Sequence, residues 1–356
     1  MKTWSVKQIQ DMVEPAKEWG EKKTIYASDS HKCLSGIYYS LKGEEPTSQA
    51  DAESLRRMDV GNMIETNQVK KLKRLGIFIE PPTGIQHRVE NKEFGVSGRL
   101  DALIISPTEC TLEAKKIIGE KAELYKMLED LKGNMYKGID QYLKGDVDED
   151  TYLEGRAKIL QMEHGAHERN RELNQRLLEP NPANHLMIVE VKSISEWGFK
   201  YREMEGRAME AHEDQALFYL SEMRKIYPNI VARVLYVQIP YQNLLEFDII
   251  YSEQRFQDMA KKWAYIQECI KEEKIPEPAP AVRLNDKSGK WQVNFQADWC
   301  NYHIKCTGDP NWKRKAMDTV KALNNGEKQK YDHDIPADKP VKKLKKVAKK
   351  KLAKKK

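Results

Sequence analysis

The chain has 356 residues, of which 33% are charged and 40% are hydrophobic, enough apolar material for one large core or two modest ones. No apolar run of roughly 18 residues is present to span a membrane, and the N-terminal residues lack the apolar segment of a signal peptide. Five cysteines at uneven spacings do not form a disulfide framework. We therefore expect a cytoplasmic protein without membrane contact, in which clustered cysteines would indicate a metal site.

The first strand and a long helical region are predicted from periodicity. FGVSGRLDALII at 94–105 follows a helical pattern and is predicted to be a strand. Residues 112–178 carry an apolar stripe at helical spacing that is interrupted at 145–151, which predicts a helical hairpin. The later predicted elements are a buried strand at 186–194, a helix at 204–226, strands at 231–240 and 244–251, and a helix at 253–273. Mixed strands and helices favour an α/β or α+β core, and a coiled-coil scaffold would explain only the hairpin.

The net charge of +6 comes from one basic segment. Residues 339–356 hold 11 lysines and no acid, and without them 50 basic residues face 55 acidic ones, a net charge of −5. Such a block repels itself and is expected to be disordered. Its lysines, Lys349, Lys350 and Lys351 among them, would bind nucleic-acid phosphates without reading sequence. A solubilising tail or a cloning remnant would have the same composition.

Three charged residues lie in otherwise apolar strands. Asp101 belongs to GRLDALII, and Glu190 and Lys192 are two apart in LMIVEVKSI, so they project from one face. Burying such groups is costly unless they are paired or bind a metal. Asp and Glu oxygens suit Mg²⁺, which also takes water and phosphate oxygens. Taken alone, the Glu–Lys pair is more often a solvated ion pair at a strand edge.

Several motifs in a fixed order resemble the RecB-like branch of the PD-(D/E)XK nuclease superfamily, over roughly three quarters of the chain. That branch includes the AddB nuclease domain, CRISPR-associated RecB-like exonucleases and phage exonucleases. The matching segments are VGNMIE at 60–65, Gly98-Arg-Leu-Asp101, Glu190-Val-Lys192 and Gln215-Ala-Leu-Phe-Tyr219. Each segment alone is a weak signal, and their shared order in matching structural contexts is a strong one.

The resemblance implies a restriction-endonuclease-like α/β core, with a mixed central sheet flanked by helices and the helical hairpin inserted. It implies metal-dependent hydrolysis of DNA with Mg²⁺ or Mn²⁺, more often as an exonuclease on ends or single strands than by sequence-specific cutting. The implied setting is recombination, repair or phage DNA metabolism in a bacterial or phage-infected cell, alone or with a helicase or recombination partner. The alternative is a catalytically weak DNA-binding or adaptor subunit of a recombination or replication complex.

The resemblance also implies residue roles. Asp101 and Glu190 would bind the metal, with the Val191 carbonyl as a further ligand, and Lys192 would position the attacking water. Glu65 stands where the branch often has His, and it could ligate a hard cation or be a surface residue. The remaining roles concern His212, Gln215 and Tyr219, which share a helical face and would hold a DNA phosphate or brace the strands, although Tyr at this spacing is commonly core.

Two departures from the branch concern spacing. Asp101 and Glu190 are separated by 88 residues, where the branch has a short connection. The hairpin fills this gap, and its charge predicts either an arm that grips DNA or a partner protein, or an insertion tolerated at a loop. A rival motif, Glu113-Ala-Lys115, lies closer to Asp101, but TLEAKK is predicted to be the first turn of a helix, whereas LMIVEVKSI is predicted to be a buried strand.

The cysteines depart from the branch as well. Many members hold a 4Fe–4S cluster, which as a rule needs four thiolates. Cys33, Cys300 and Cys306 fit three of the positions, but Ala297 occupies the fourth. His303 could complete the set, and three Cys with one His would also suit Zn²⁺. A metal-free relic with cysteines packed as small apolar residues is equally consistent with the sequence.

Together these features predict a division of the chain. The nuclease core is predicted at 1–107 and 185–280, with the helical insertion at 108–184. A cysteine-bearing segment is predicted at 281–315, followed by a linker and the disordered Lys-rich tail at 316–356.

Overall fold

The chain is described by a computed structural model over residues 22–48, 52–81, 86–179, 181, 184–285 and 288–325. Lys349, Lys350 and Lys351, predicted to bind DNA, lie outside the described residues. The chain divides into two compact units, one of Met1–Lys32 and Ile37–Pro276, the other of Cys33–Gly36 and Glu277–Lys356. No helix in the described ranges is long and apolar enough to cross a membrane.

The strands of the described residues form three sheets. They are β1 (Ile25–Tyr26), β2 (His87–Asn91), β3 (Val96–Leu100), β4 (Ala102–Ile105), β5 (Leu186–Ser195), β6 (Val231–Ile239), β7 (Leu244–Ile249), β8 (Val282–Asn285) and β9 (Lys290–Val293). One sheet has the order β1-β3-β2, the central one β4-β5-β6-β7, and the third pairs β8 with β9.

The helices lie between and after these strands. They are α1 (Leu34–Leu41), α2 (Ala52–Arg74), α3 (Leu112–Lys144), α4 (Glu149–Leu178), α5 (Glu196–Glu205), α6 (Glu210–Arg224), α7 (Glu253–Lys271), α8 (Phe295–Asp298), α9 (His303–Thr307) and α10 (Trp312–Asn324). Helices and mixed sheets together confirm the α/β class.

The central sheet is mixed because β5 pairs parallel with β6 and antiparallel with β4, and β7 pairs antiparallel with β6. A parallel pair is usually buried on both faces, which explains the nearly continuous apolar run of β5. Phe218 of α6 and Trp263 of α7 are fully buried and meet edge to face, 5.6 Å between ring centroids. The core of the first unit therefore lies between this sheet and its helices.

The helical hairpin at 112–178 is confirmed. Thr111 caps α3 by accepting from Ala114 N at 3.1 Å, and Gly145, with φ of 78°, ends it in the left-handed conformation that favours glycine. Asp148 caps α4. The buried apolar residues of the stripe are Ile117, Leu128, Leu131, Leu173 and Leu177.

A buried lysine joins the hairpin to the rest of the first unit. Lys121 Nζ donates to the Phe78 carbonyl and to Asn174 Oδ1. Burial lowers the pKa of Lys121 to about 7. The hydrogen bonds offset part of the cost of burying this group. They hold α3 both to the segment that follows α2, at Phe78, and to α4.

Three sequence predictions of element bounds are wrong. The strand at 94–105 is two strands, β3 and β4, because the chain bends at Asp101. The helix at 204–226 is divided because Gly206, with φ of 66°, ends α5. The linker predicted from residue 316 begins later, because α10 continues to Asn324 with Ala316 and Thr319 buried.

Candidate functional site

Asp101 lies at the bend where the chain leaves β3 for β4 and so passes from one sheet to the next. Its Oδ2 accepts a hydrogen bond from Val191 N at 2.8 Å. Val191 belongs to β5, between Glu190 and Lys192. Two motifs that are far apart in sequence are therefore joined by a direct contact.

Glu190 is fully buried on β5, with no exposed surface. Lys192 Nζ forms an ion pair with Glu190 Oε1. Neither Glu190 oxygen receives a hydrogen bond of normal geometry from the described residues. A buried carboxylate with unused lone pairs is costly unless a further cationic group is present.

Glu65 joins the same group from α2. Its Oε1 accepts from Gln86 Nε2 at 3.0 Å, and its carboxylate lies close enough to Asp101 and Lys192 to affect the pKa of Glu65. The site thus contains three carboxylates and one ammonium group. With all four ionised, the net charge is −2, which a divalent cation would neutralise.

The titration of the site reflects this crowding. Burial and then the Glu190 charge raise the pKa of Asp101 to about 8, against the opposing effect of Lys192. Burial raises the pKa of Glu190 and of Glu65 as well. Burial alone would lower the pKa of Lys192, but Glu190, Asp101 and Glu65 outweigh it and raise that pKa to about 12. The acidic neighbours thus favour the charged form of Lys192.

Gln215 and Tyr219 lie behind the acids on α6. Gln215 Nε2 donates to the Tyr219 hydroxyl at 3.1 Å, and both side chains are buried. A Cβ at Gly98 would overlap the Tyr219 ring and hydroxyl. The glycine of the Gly-x-x-Asp motif is required because the tyrosine packs directly on the β3 backbone, three residues before Asp101.

His212 is held by Tyr236 of β6. The Tyr236 hydroxyl accepts from Met209 N at 2.9 Å and lies 2.8 Å from His212 Nδ1. The hydroxyl can donate to Nδ1, and in that pairing the imidazole N–H is at Nε2. Burial lowers the pKa of His212 to about 3, with Lys192 adding to the shift. Any contact with a phosphate is therefore made by a neutral donor.

The rival motif is separate from this cluster. Glu113 lies in the first turn of α3 after the cap at Thr111, as expected from the sequence. Its side chain is 71% exposed and pairs with Arg176 of α4 at 2.8 Å. Glu113 is accordingly a surface residue of the hairpin.

The acids fit a hard divalent ion in number and chemistry. Among the described residues, no group of three or more His, Cys, Asp or Glu side chains is arranged to hold a metal ion, either at the carboxylates or at the cysteines. Mg²⁺ needs fewer protein ligands than this, because it usually keeps several waters and binds through one or two carboxylates plus substrate oxygens. The N–H and carbonyl of a strand residue leave the strand on the same side, so the Val191 carbonyl faces Asp101 along with its N–H.

The cysteine group lies within the second unit, together with Cys33–Gly36. Ser35 Oγ lies 3.1 Å from both Cys33 Sγ and Cys306 Sγ, and Ala279 N donates to Cys33 Sγ at 3.2 Å. Hydrogen bonding from the Cys300 thiol, and further bonds from Ser35 and Ala279, lower the pKa of Cys33 to about 5 despite burial. Two sulfurs, those of Cys33 and Cys306, therefore share the Ser35 hydroxyl, and the third, that of Cys300, lies beside Cys33.

This group does not fit a four-cysteine cluster, because Ala297 is fully buried and offers no ligand. His303 is buried, its ring lies 4.1 Å from that of Trp312, and neither ring nitrogen has a hydrogen-bond partner among the described residues. Burial lowers the pKa of His303. Three thiols and a neutral imidazole are zinc-type donors.

Some residues around the site were missed by the sequence analysis. Asp214, beside Gln215, is buried and pairs with His31 Nε2 at 2.5 Å and with Arg255 Nε at 2.5 Å. This network ties α6 to α7. An acid on the apolar face of a helix is the signal that could have indicated it.

Comparison with known proteins leaves the family open. No family model matches the chain, and no curated protein matches it. Three solved chains are similar in structure. One of them, described as "Crystal structure of SSO0001", is 12% identical, with a TM-score of 0.36, over 84% of this chain and 92% of that one. A likeness at this TM-score supports no conclusion about fold or activity.

Proposed function

We propose that the chain is a metal-dependent DNA nuclease with a RecB-like PD-(D/E)XK site in a restriction-endonuclease-like core. The observation that carries the proposal is the 2.8 Å hydrogen bond from Val191 N to Asp101 Oδ2. It brings the Asp motif onto the strand that carries buried Glu190 and Lys192, beside Glu65. Three acids gathered around one lysine, with Glu190 fully buried and the other three groups half-buried, support a functional site, because perturbed pKa values cluster at such sites.

Asp101, Glu190, the Val191 carbonyl and Glu65 would hold Mg²⁺ or Mn²⁺. Bound there, the ion would lower the pKa of a water and offset charge on the phosphate. Lys192, whose charged form is favoured by the neighbouring acids, would orient that water towards the phosphorus. The water oxygen forms the new bond to phosphorus while its proton passes to solvent, the bond to the leaving oxygen breaks, and a solvent proton neutralises the leaving group.

The surrounding residues have positioning roles in this proposal. Gln215 and Tyr219 brace β3 behind Asp101, as their hydrogen bond and the contact at Gly98 indicate. His212 would donate Nε2–H to a phosphate oxygen. The preference for exonuclease action on ends or single strands, the setting in recombination, repair or phage DNA metabolism, and a helicase partner rest on the motif resemblance alone.

The test is cleavage of end-labelled DNA. We expect 5′- and 3′-labelled single and double strands to be degraded with Mg²⁺ or Mn²⁺ and to stay intact with a chelator, because the ion would supply the lowered water pKa and the charge compensation that hydrolysis needs. A protein that binds DNA but cleaves none of these substrates with either ion would instead be the adaptor subunit of the alternative proposal.

We also propose that Cys33, Cys300, Cys306 and His303 hold a metal, with zinc favoured over a 4Fe–4S cluster because only three thiolates are present. Metal analysis of purified protein is expected to give zinc, without the visible absorbance of an iron–sulfur cluster. Alanine at His303 should reduce the zinc content, whereas alanine at Cys110, an unrelated thiol, should not. Protein with neither iron nor zinc would contradict the proposal and leave packed free thiols.

A further inference from the structure

A cavity of about 590 Å³ connects the candidate active site with the helical hairpin. Its lining includes Glu65 and Asp101 of the site, and also Tyr125 and Lys132 of α3 and His167 of α4. We propose that this cavity is a channel for a single DNA strand, with the hairpin forming one wall. This inference rests on the proposed function, and it gives the hairpin a role in positioning the strand.

The α2 side of the channel carries basic residues on one helical face. Lys70, Lys73 and Arg74 line the cavity at helical spacing. Lys73 pairs with Glu80 at 2.7 Å, and Arg74 pairs with Glu129 at 2.8 Å. These two cations are partly neutralised within the protein, so they contribute less to phosphate binding.

Two other lysines in the cavity lining can offer their charge to a phosphate. Lys70 on α2 and Lys132 on α3 are exposed and have no ion-pair partner among the described residues. Both lie close enough to Glu129 to lower its pKa, after the larger effect of Arg74. The two lysines therefore belong to one patch shared by α2 and the hairpin. Phosphates are the anions that a strand in this channel would present to them.

The channel also has an aromatic wall and a suitable size. Tyr125 is half-buried in the lining, where its ring can stack with a base, as aromatic residues do in proteins that bind single strands. The volume lies within the range of roughly 300–1,000 Å³ that takes a drug-sized ligand. Such a volume is enough for a short stretch of one strand.

The test compares a double variant of the channel with a matched control. Lys70→Ala/Lys132→Ala removes the two available charges, and Lys71→Ala/Lys116→Ala removes two exposed lysines outside the cavity lining on the same helices. Binding of a fluorescein-labelled single-stranded oligonucleotide is measured by anisotropy in EDTA, across a salt series. We expect a Kd increase of about tenfold or more for the channel variant, and a salt slope reduced by about 1.4, as two lost phosphate contacts predict. The control should match the wild type.

A second pair of variants tests the aromatic wall. Tyr125→Phe should bind the oligonucleotide like the wild type, whereas Tyr125→Ala should lose about tenfold in affinity because stacking is lost. Two results would overturn the proposed channel. One is equal affinity of both double variants for the oligonucleotide, and the other is an equal loss of affinity for single strands and for a blunt duplex. Failure of the proposed function has a different signature, in which the binding differences persist but wild-type protein cleaves no DNA with Mg²⁺ or Mn²⁺.

Discussion

Glu190→Gln should reduce DNA cleavage by a factor on the order of 1,000, because a metal ligand contributes several kcal/mol to the transition state. Glutamine preserves the shape of the buried side chain but offers the metal a neutral oxygen, and it leaves Lys192 paired only with the remaining acids. The loss should appear in kcat rather than in Kd for DNA, since Glu190 is fully buried and, in the proposed site, would hold the metal and make no contact with the strand. Single-turnover cleavage with Mg²⁺ measures the first quantity, and anisotropy in EDTA measures the second.

The matched control is Glu113→Gln, at the other acid-x-Lys motif. Glu113 is exposed and pairs with Arg176 on the surface of the hairpin. Exposed pairs contribute about 0–1 kcal/mol, so both cleavage and stability should stay close to wild type. The reverse pattern, with Glu113 essential and Glu190 dispensable, would contradict the assignment of the catalytic strand.

Local pattern was enough to predict several elements of the first unit. The apolar run of LMIVEVKSI predicted β5 nearly to its bounds, and the stripe at 112–178 predicted the hairpin, because both signals arise within a single element. The bend at Asp101 was not predicted, since apolar residues continue on both sides of it. Only the pairing of β3 and β4 with different sheets shows that the strand is divided there.

The candidate site, too, could be predicted only where the signal lies within a single element. The motif residues could be named from the sequence because their order is informative. Their supporting partners could not be named, because Gln86 and Tyr236 reach the site from other elements. The channel residues Lys70 and Lys132 were not predicted for a related reason. Each is an ordinary exposed helical lysine until the hairpin is packed beside α2.

Asp101→Asn is expected to abolish cleavage and, at the same time, to stabilise the metal-free protein by several kcal/mol at pH 8. Asparagine can still accept the hydrogen bond from Val191 N but carries no charge. It therefore removes the cost of burying the Asp101 carboxylate and its repulsion by Glu190. Chemical denaturation in EDTA measures the stability, and the end-labelled DNA assay measures the activity.

The difference in stability between Asp101→Asn and wild type should depend on pH with a definite sign. The pKa of Asp101 is about 8 in the folded protein and about 3.9 in the unfolded chain. Folded Asp101 therefore holds its proton more tightly between these values, and the contribution of this group to the free energy of unfolding falls as the pH rises from about 4 to about 8. Asp101→Asn should be close to wild type near pH 4.5 and increasingly more stable towards pH 8, with Glu113→Gln unchanged throughout.

Mg²⁺ should raise the melting temperature of wild type more than that of the variant, because ligand binding to the folded state stabilises it. A variant that is less stable than wild type at pH 8 would mean that the Asp101 carboxylate stabilises the fold, which contradicts the electrostatic cost inferred for this site.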